Sequence, residues 1–395
     1  MNRKQWQVVA MLFLATVLNY VDRQTLSVLA PELRDRFHMS NTDYSHVVFG
    51  FLLAYMVMQS GSGRLLDRLG TKAGFAVCIG WWSGATMLHA LANSMAGLLG
   101  GRFLLGLGEA GNWPGGVKAV SEWCPPKQRA FAIGVFNSGS CFGAVLAPPV
   151  VAWLALTWGW RTAFVVAGLP GFLWLAVWLA TYRTPAGAVL PEAAATKVSW
   201  AGLFRYRQVW ALLLARMTAD PVWWFYVFWL PEYLKRERHF TLAAIGYFAW
   251  IPFLSAAAGS IGGGAASGWL IRRGVPVLRA RKFVMAASAV VMMSGIPAVF
   301  VASSAAALAL ISLATLAYSV WAANVLTLPA DVAPASVVAS VSGISGTGAA
   351  IGGMAFTLLT GVLVDHFSYV PVFLAAGTLP LIALCAILAG VRARL

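Results

Sequence analysis

Trp6 to Ala30 is one apolar run, and it carries Asn19-Tyr20-Val21-Asp22-Arg23-Gln24 inside it rather than beyond its end. About 20 apolar residues, rising about 1.5 Å each in a helix, cross the ~30 Å hydrocarbon layer of a bilayer. An adjacent Asp and Arg about two-thirds of the way across would cost several kcal/mol facing lipid, so they must face protein or water. The same kind of run recurs along the whole chain. With 60% apolar and only 10% charged residues over 395 positions, a soluble domain is excluded in favour of a polytopic membrane protein.

Twelve apolar segments can be drawn: 7–29, 43–66, 74–93, 95–118, 129–153, 162–182, 209–233, 243–267, 282–302, 305–328, 337–361 and 369–391. The net charge of +15 does not indicate a nucleic-acid binder, because the basic residues sit in short loops between segments. Of the 28 Lys and Arg, 18 fall on the side of the N-terminus, 6 on the other side and 4 within segments. That asymmetry places both termini in the cytoplasm. Cys78, Cys124, Cys141 and Cys385 have no CxxC spacing, so neither disulfides nor a metal site are expected. The first segment lacks a small-residue cleavage site and reads as a mature helix, not a signal peptide.

Shifting residues 125–168 by 209 positions lays Pro125 over Pro334, Gly134 over Gly343, Gly139 over Gly348 and Gly143 over Gly352. Helix interiors tolerate Gly and Pro poorly unless a close contact or bend requires them, so the coincidence marks a duplication. The expected organisation is an all-α membrane protein: a six-helix bundle over 1–182, a polar cytoplasmic linker over 183–208, and a second bundle over 209–395. Two parallel halves of this kind are the plan of the major facilitator transporters. The loop after segment 2 agrees, since Gly63, Asp67, Arg68, Gly70 and Lys72 match that superfamily's signature G-x-x-x-D-R-x-G-x-[KR]. Glycines permit a tight turn, and Asp67 can accept from basic groups on neighbouring helix ends, latching one face. In the second-half copy Gly268 stands where the Asp would be, which predicts a weaker second latch.

Further ionisable residues fall inside segments. Arg102 and Glu109 are seven apart, on one helical face. Arg216 and Asp220 are four apart, again on one face. Lys118 lies at the inner end of segment 4 and is expected to snorkel to the interface. A buried carboxylate is costly when ionised, which suits Glu109 and Asp22 to carrying protons. Arg23 and Arg102 keep their charge and offer planar forks that match a carboxylate. Proton binding could then free an arginine for an anionic substrate; a fixed salt-bridge network between segments 1 and 4 is the alternative. Tyr20, Tyr55, Ser140, Trp223, Tyr226 and Asn324 supply hydroxyl, amide and aromatic faces suited to a polyhydroxylated anion. The histidines are scattered near loop ends, so a membrane enzyme with a catalytic cluster is not expected.

Asn19-Tyr20-Val21-Asp22-Arg23, Gly106-Leu107-Gly108-Glu109-Ala110-Gly111-Asn112-Trp113-Pro114-Gly115 and Arg129 to Gly134 resemble the anion:cation symporter branch of the major facilitator superfamily. Asp220 to Leu234, Trp250-Ile251-Pro252-Phe253 and Pro329-Ala330-Asp331-Val332 resemble, more narrowly, the bacterial hexuronate transporters. The resemblance covers nearly the whole chain. It implies proton-driven import of glucuronate- or galacturonate-like sugar acids across a bacterial inner membrane. Asp22 and Glu109 would be the proton sites, Arg23 would meet the substrate carboxylate with Arg102 in support, and Tyr20 and Tyr55 would line the pocket. The expected partners are a small anionic sugar acid, protons and the bilayer. No nucleic acid, metal or cofactor beyond the coupling proton is expected, and the working unit is a monomer. Another organic anion, an aldonate such as galactonate or an aromatic acid, is the alternative substrate.

Overall fold

The computed structural model describes residues 1–39, 41–185, 200–240, 247–248 and 250–392. Most of the expected linker, the start of segment 8, Lys197 and Arg394 lie outside them. All twelve segments are helical where described. Segment 1 is α1 (Arg3–Arg36), capped by Asn2, whose side chain accepts from the Gln5 amide. Segments 2 and 3 run together as α2 (Asn41–Leu88), broken only at Gly70. There φ is +77°, a backbone conformation that side-chain-bearing residues rarely adopt, so the motif's second glycine makes the turn between the two segments.

Segments expected to be continuous turn out to be split. Segment 4 is α3 (Met95–Glu109) and α4 (Asn112–Trp123), segment 7 is α7 (Arg207–Ala219) and α8 (Pro221–Arg236), and segment 10 is α11 (Ser304–Val325) and α12 (Leu328–Val332). The remaining long helices are α5 (Pro126–Trp158), α6 (Trp160–Thr181), α9 (Ile251–Arg272), α10 (Val277–Met292), α13 (Val338–His366) and α14 (Val370–Gly390). A proline follows each break: Pro114, Pro221 and Pro329. Proline has no amide hydrogen, and its ring collides with the carbonyl four residues back, so the ladder is interrupted there. Among the described residues six spans, including those formed by α5, α6 and α14, are long and apolar enough to cross a membrane.

The described chain forms two compact units. One comprises Met1–Trp123, Gly139–Val198 and Ala335–Gly343; the other comprises Cys124–Ser138, Ser199–Pro334 and Ile344–Leu395. The start of α5 thus packs with the second unit and the start of α13 with the first. The duplication reappears in these contacts. In the first unit Gly63 lies against the Ala339 carbonyl and Gly343 against that of Gln59; in the second, Gly264 lies against the Ala130 carbonyl and Gly134 against that of Ser260. Ala130 and Ala339, like Gly134 and Gly343, are 209 positions apart. Small residues bring helix backbones together where lipid offers no hydrophobic drive to pack them.

Gly106 of α3 seats that helix against segment 2. A Cβ there would stand 2.5 Å from the Phe51 carbonyl oxygen and 3.1 Å from the Tyr55 amide, whereas a Cβ at Gly100 meets nothing within 4 Å. Overpacking of this kind costs about 1–3 kcal/mol. Gly106→Val is therefore expected to lower the thermal unfolding midpoint in detergent by several degrees, and Gly100→Val to leave it within error. Equal midpoints for the two variants would refute the close-packing assignment.

Candidate functional site

In the first unit the buried charges of segments 1 and 4 meet, but not in the pairs that sequence spacing suggests. Arg23 donates through Nε to Glu109 Oε2 at 2.9 Å, and its Nη2 lies 2.8 Å from the same oxygen. Arg23 Nη2 also donates to Asn19 Oδ1 at 3.2 Å. The expected Arg102–Glu109 partnership is replaced by this one, and Arg102 Nη1 donates instead to the Arg23 carbonyl at 3.0 Å. Asp22 does not hold Arg23, because successive helical residues point about 100° apart. Its carboxylate is buried, and among the described residues neither oxygen has a hydrogen-bond partner. The Thr86 hydroxyl beside it spends its hydrogen on the Trp82 carbonyl at 3.0 Å.

Aromatic rings hold the Arg23 guanidinium flat. Its central carbon stands 4.8 Å from the Tyr20 ring centroid, 5.0 Å from Tyr55 and 5.2 Å from Phe51. Desolvated cation–π contacts contribute up to about 2 kcal/mol each. Tyr20 and Tyr55 are thus brought to the arginine, and Phe51, which spacing alone did not single out, joins them. Arg23 retains 15% side-chain exposure against none for Glu109, so this guanidinium is the accessible member of the pair.

The second unit holds its own intrasegment pair. Arg216 donates through Nε and Nη2 to Asp220 Oδ2 at 3.0 and 2.8 Å, at the break that Pro221 imposes. One turn on, Trp223 stacks on Tyr318 at 5.7 Å and meets Phe253 edge-on at 5.8 Å. The other predicted site residues are buried. Tyr226 is buried among Phe225 and Phe373. Asn324 donates to the Gly263 and Val320 carbonyls at 3.2 and 2.9 Å, tying α11 to α9. Ser140, in the first unit, is buried with its hydroxyl 4.0 Å from the Cys141 sulfur.

The signature loop forms a clasp. Asp67 Oδ1 accepts from Lys118 Nζ at 2.6 Å, and its two oxygens accept from the amides of Ala339 at 3.3 Å and Ser340 at 2.7 Å. The carboxylate thereby caps the N-terminus of α13, where unpaired amides and the helix dipole favour negative charge. Lys118 does not snorkel: it is 5% exposed and also donates to the Leu66 carbonyl. Gly63 and Gly70 supply the close approach and the turn, Arg68 is exposed, and the Lys72 carbonyl accepts from Trp178 Nε1 at 3.1 Å. Burial pushes the Asp67 carboxyl above its ordinary range, opposed chiefly by the Lys118 ammonium. Beside it Glu122, which the sequence reading passed over, accepts from the Thr71 and Tyr182 hydroxyls at 2.6 and 2.7 Å.

The weaker second latch expected from Gly268 is corrected by Asp331. That carboxylate accepts from Arg129 Nη1 at 3.0 Å and Arg281 Nε at 3.1 Å, while Arg281 Nη2 donates to the Pro126 carbonyl at 2.7 Å. Gly268 itself makes room for the Lys127 carbonyl. The signal was present in the chain, since Asp331 lies one repeat, 209 positions, beyond Glu122.

A model of the Major Facilitator Superfamily matches residues 12–357. The chain is 34% identical over 388 residues to the hexuronate transporter of Escherichia coli K12, covering 93% of this chain and 90% of that protein. It is 35% identical over 277 residues to the galacturonate transporter of Dickeya chrysanthemi, covering 66% and 80%. The proton:xylose symporter XylE shares the fold at a TM-score of 0.77 and 14% identity, covering 98% of this chain and 96% of that one. Fold, buried charges and relatives together define a multi-pass transporter of a bacterial inner membrane, not an enzyme. The chain belongs to the Major Facilitator Superfamily.

Removing one member of a buried ion pair costs about 3–5 kcal/mol, whereas replacing both with apolar groups costs far less. Asp67→Asn and Lys118→Met are each expected to destabilise the clasp strongly, and the double variant to fall well short of their sum. Unfolding midpoints measured around this double-mutant cycle check it; additive losses would show that the two groups do not act on one another.

Proposed function

We propose that this chain is a proton-coupled symporter importing a sugar acid, a hexuronate such as glucuronate or galacturonate, by alternating access between halves 1–182 and 209–395, with both termini cytoplasmic. The observation that carries the reading is Arg23, a partly accessible guanidinium clamped by one buried carboxylate and stacked by Tyr20 and Tyr55. A proton arriving at Glu109 removes the charge that occupies Nε and Nη2, and the freed fork presents two parallel donors to an incoming carboxylate. Substrate and proton then favour one another's binding by the same factor, as linkage requires. Asp22 is the second proton site, because a buried carboxylate without donors is relieved by neutralisation. Arg102 holds the Arg23 backbone in place. The ring faces of Tyr20, Tyr55 and Trp223 suit the C–H faces of a sugar, and their polar tips suit its hydroxyls. The E. coli and Dickeya relatives, a hexuronate transporter and a galacturonate transporter, support a hexuronate. More distant relatives named as galactonate transporters make the aldonate the competitor to test.

The test is uptake of labelled glucuronate, galacturonate and galactonate into proteoliposomes, with and without an inward proton gradient. Wild type is expected to concentrate a hexuronate only with the gradient, and to lose accumulation on adding a protonophore. Glu109→Gln should keep exchange of internal for external substrate but lose gradient-driven accumulation. Arg23→Ala should lose both, because the charged hydrogen bonds to the substrate carboxylate are removed. Accumulation by Glu109→Gln would overturn the proton assignment, and preference for galactonate would overturn the hexuronate.

A further inference from the structure

Two cavities lie outside the site just described, each reached by the arginine that follows the sixth segment of its half. The first, about 280 Å³, lies in the first unit among Lys4, Gln7, Met11, Trp123, Thr181 and Arg183, at the ends of segments 1, 4 and 6. The second, about 330 Å³, lies in the second unit among Pro126, Arg279, Asp331 and Arg392, at the ends of segments 5, 9, 10 and 12. Arg183 and Arg392 are 209 positions apart, so each closes the sixth segment of its half at the same place in the repeat.

Among the described residues both cavities hold more cations than facing anions. No acidic residue among them lines the first, and the Glu122 carboxylate close by is occupied by the Thr71 and Tyr182 hydroxyls. In the second cavity Asp331 is the one acid among the described residues, and both its oxygens are taken by Arg129 and Arg281, so Arg279 and Arg392 meet no carboxylate among those residues. Each cavity also has an apolar side, Val8 and Met11 in one, Val277 and Leu278 in the other. Both lie on the face that the Lys and Arg asymmetry assigns to the cytoplasm, where anionic lipids attract basic pockets between helix ends.

We propose that each half of the chain binds, in this pocket, the phosphate of an anionic phospholipid headgroup. The guanidinium and ammonium groups meet the phosphate oxygens, and the apolar side receives the start of the lipid's glycerol backbone. Free phosphate offers the same charge but cannot use the apolar side.

The full-length protein, purified in detergent and titrated with phosphatidylglycerol, is expected to retain two lipids per chain by native mass spectrometry, and far less phosphatidylethanolamine. Lys4→Gln with Arg183→Gln should remove one bound phosphatidylglycerol, Arg279→Gln with Arg392→Gln the other, each weakening its site about tenfold or more. The charge-keeping pair Lys4→Arg with Arg183→Lys should retain both lipids, which separates loss of a site from loss of fold. Unchanged retention in the fourfold Gln variant would overturn the proposal. Displacement of the lipid by millimolar inorganic phosphate would equally overturn it, in favour of a soluble phosphate.

Discussion

A guanidinium and a carboxylate meeting inside the bilayer, Arg23 on α1 and Glu109 at the end of α3, set the terms for the rest of the first unit. Neither charge could stay at that depth alone, since an unpaired ion there costs several kcal/mol. The pair fixes segment 1 against segment 4, and the aromatic rings of Tyr20, Phe51 and Tyr55 then bring segment 2 to the same point. Gly106 makes this possible by letting α3 approach the backbone of Phe51 and Tyr55. One electrostatic contact thus decides which three helices pack together and where their small residues must fall.

The broken helices belong to the same economy of charge. Glu109 ends α3, and Asp220 lies at the junction of α7 and α8. At a break, backbone groups lose their ladder partners, so the position tolerates polarity that a continuous membrane helix would not. In both places the acid stands next to the interruption and takes an arginine. The prolines downstream are therefore part of how the site is built, since they hold the helix open where a charged side chain must be accommodated.

Segments, duplication and the identity of the buried charges could be read from the chain because each depends on local composition or on a fixed offset. Partnership could not. Arg102 and Glu109 share a helical face, yet Glu109 reaches across to Arg23, because a carboxylate at a helix end sees the neighbouring segment as closely as its own. Asp22 and Arg23 adjoin in sequence and diverge in space. Lys118 has a side chain long enough to reach water, but a carboxylate within 2.6 Å offers more than the interface does. Tyr226 and Asn324 carry groups that suit a sugar, yet the structure buries both, and the Asn324 amide donates to backbone carbonyls of α9 and of its own helix. Which of two favourable partners a polar group takes is a tertiary decision, and spacing along one helix carries no information about it.

The two halves answer one design problem differently. At the same place in the repeat, Glu122 accepts from two neutral hydroxyls and Asp331 from two guanidiniums. Burial pushes the Glu122 carboxyl up, and the Thr71 and Tyr182 hydroxyls pull only part of the way back. Charge-assisted bonds are roughly twice as strong as neutral ones. The first unit therefore places its charged contact one position over, at Asp67 with Lys118 and the amides of α13, and uses Glu122 to tie the ends of segments 3, 4 and 6. The second unit, with Gly268 in place of an acid, concentrates both tasks on Asp331. Loss of Asp331 would strip two arginines at once, whereas in the first unit the clasp and the tie are held by separate carboxylates. Duplication kept the geometry of these helix ends while the charges that fasten them moved.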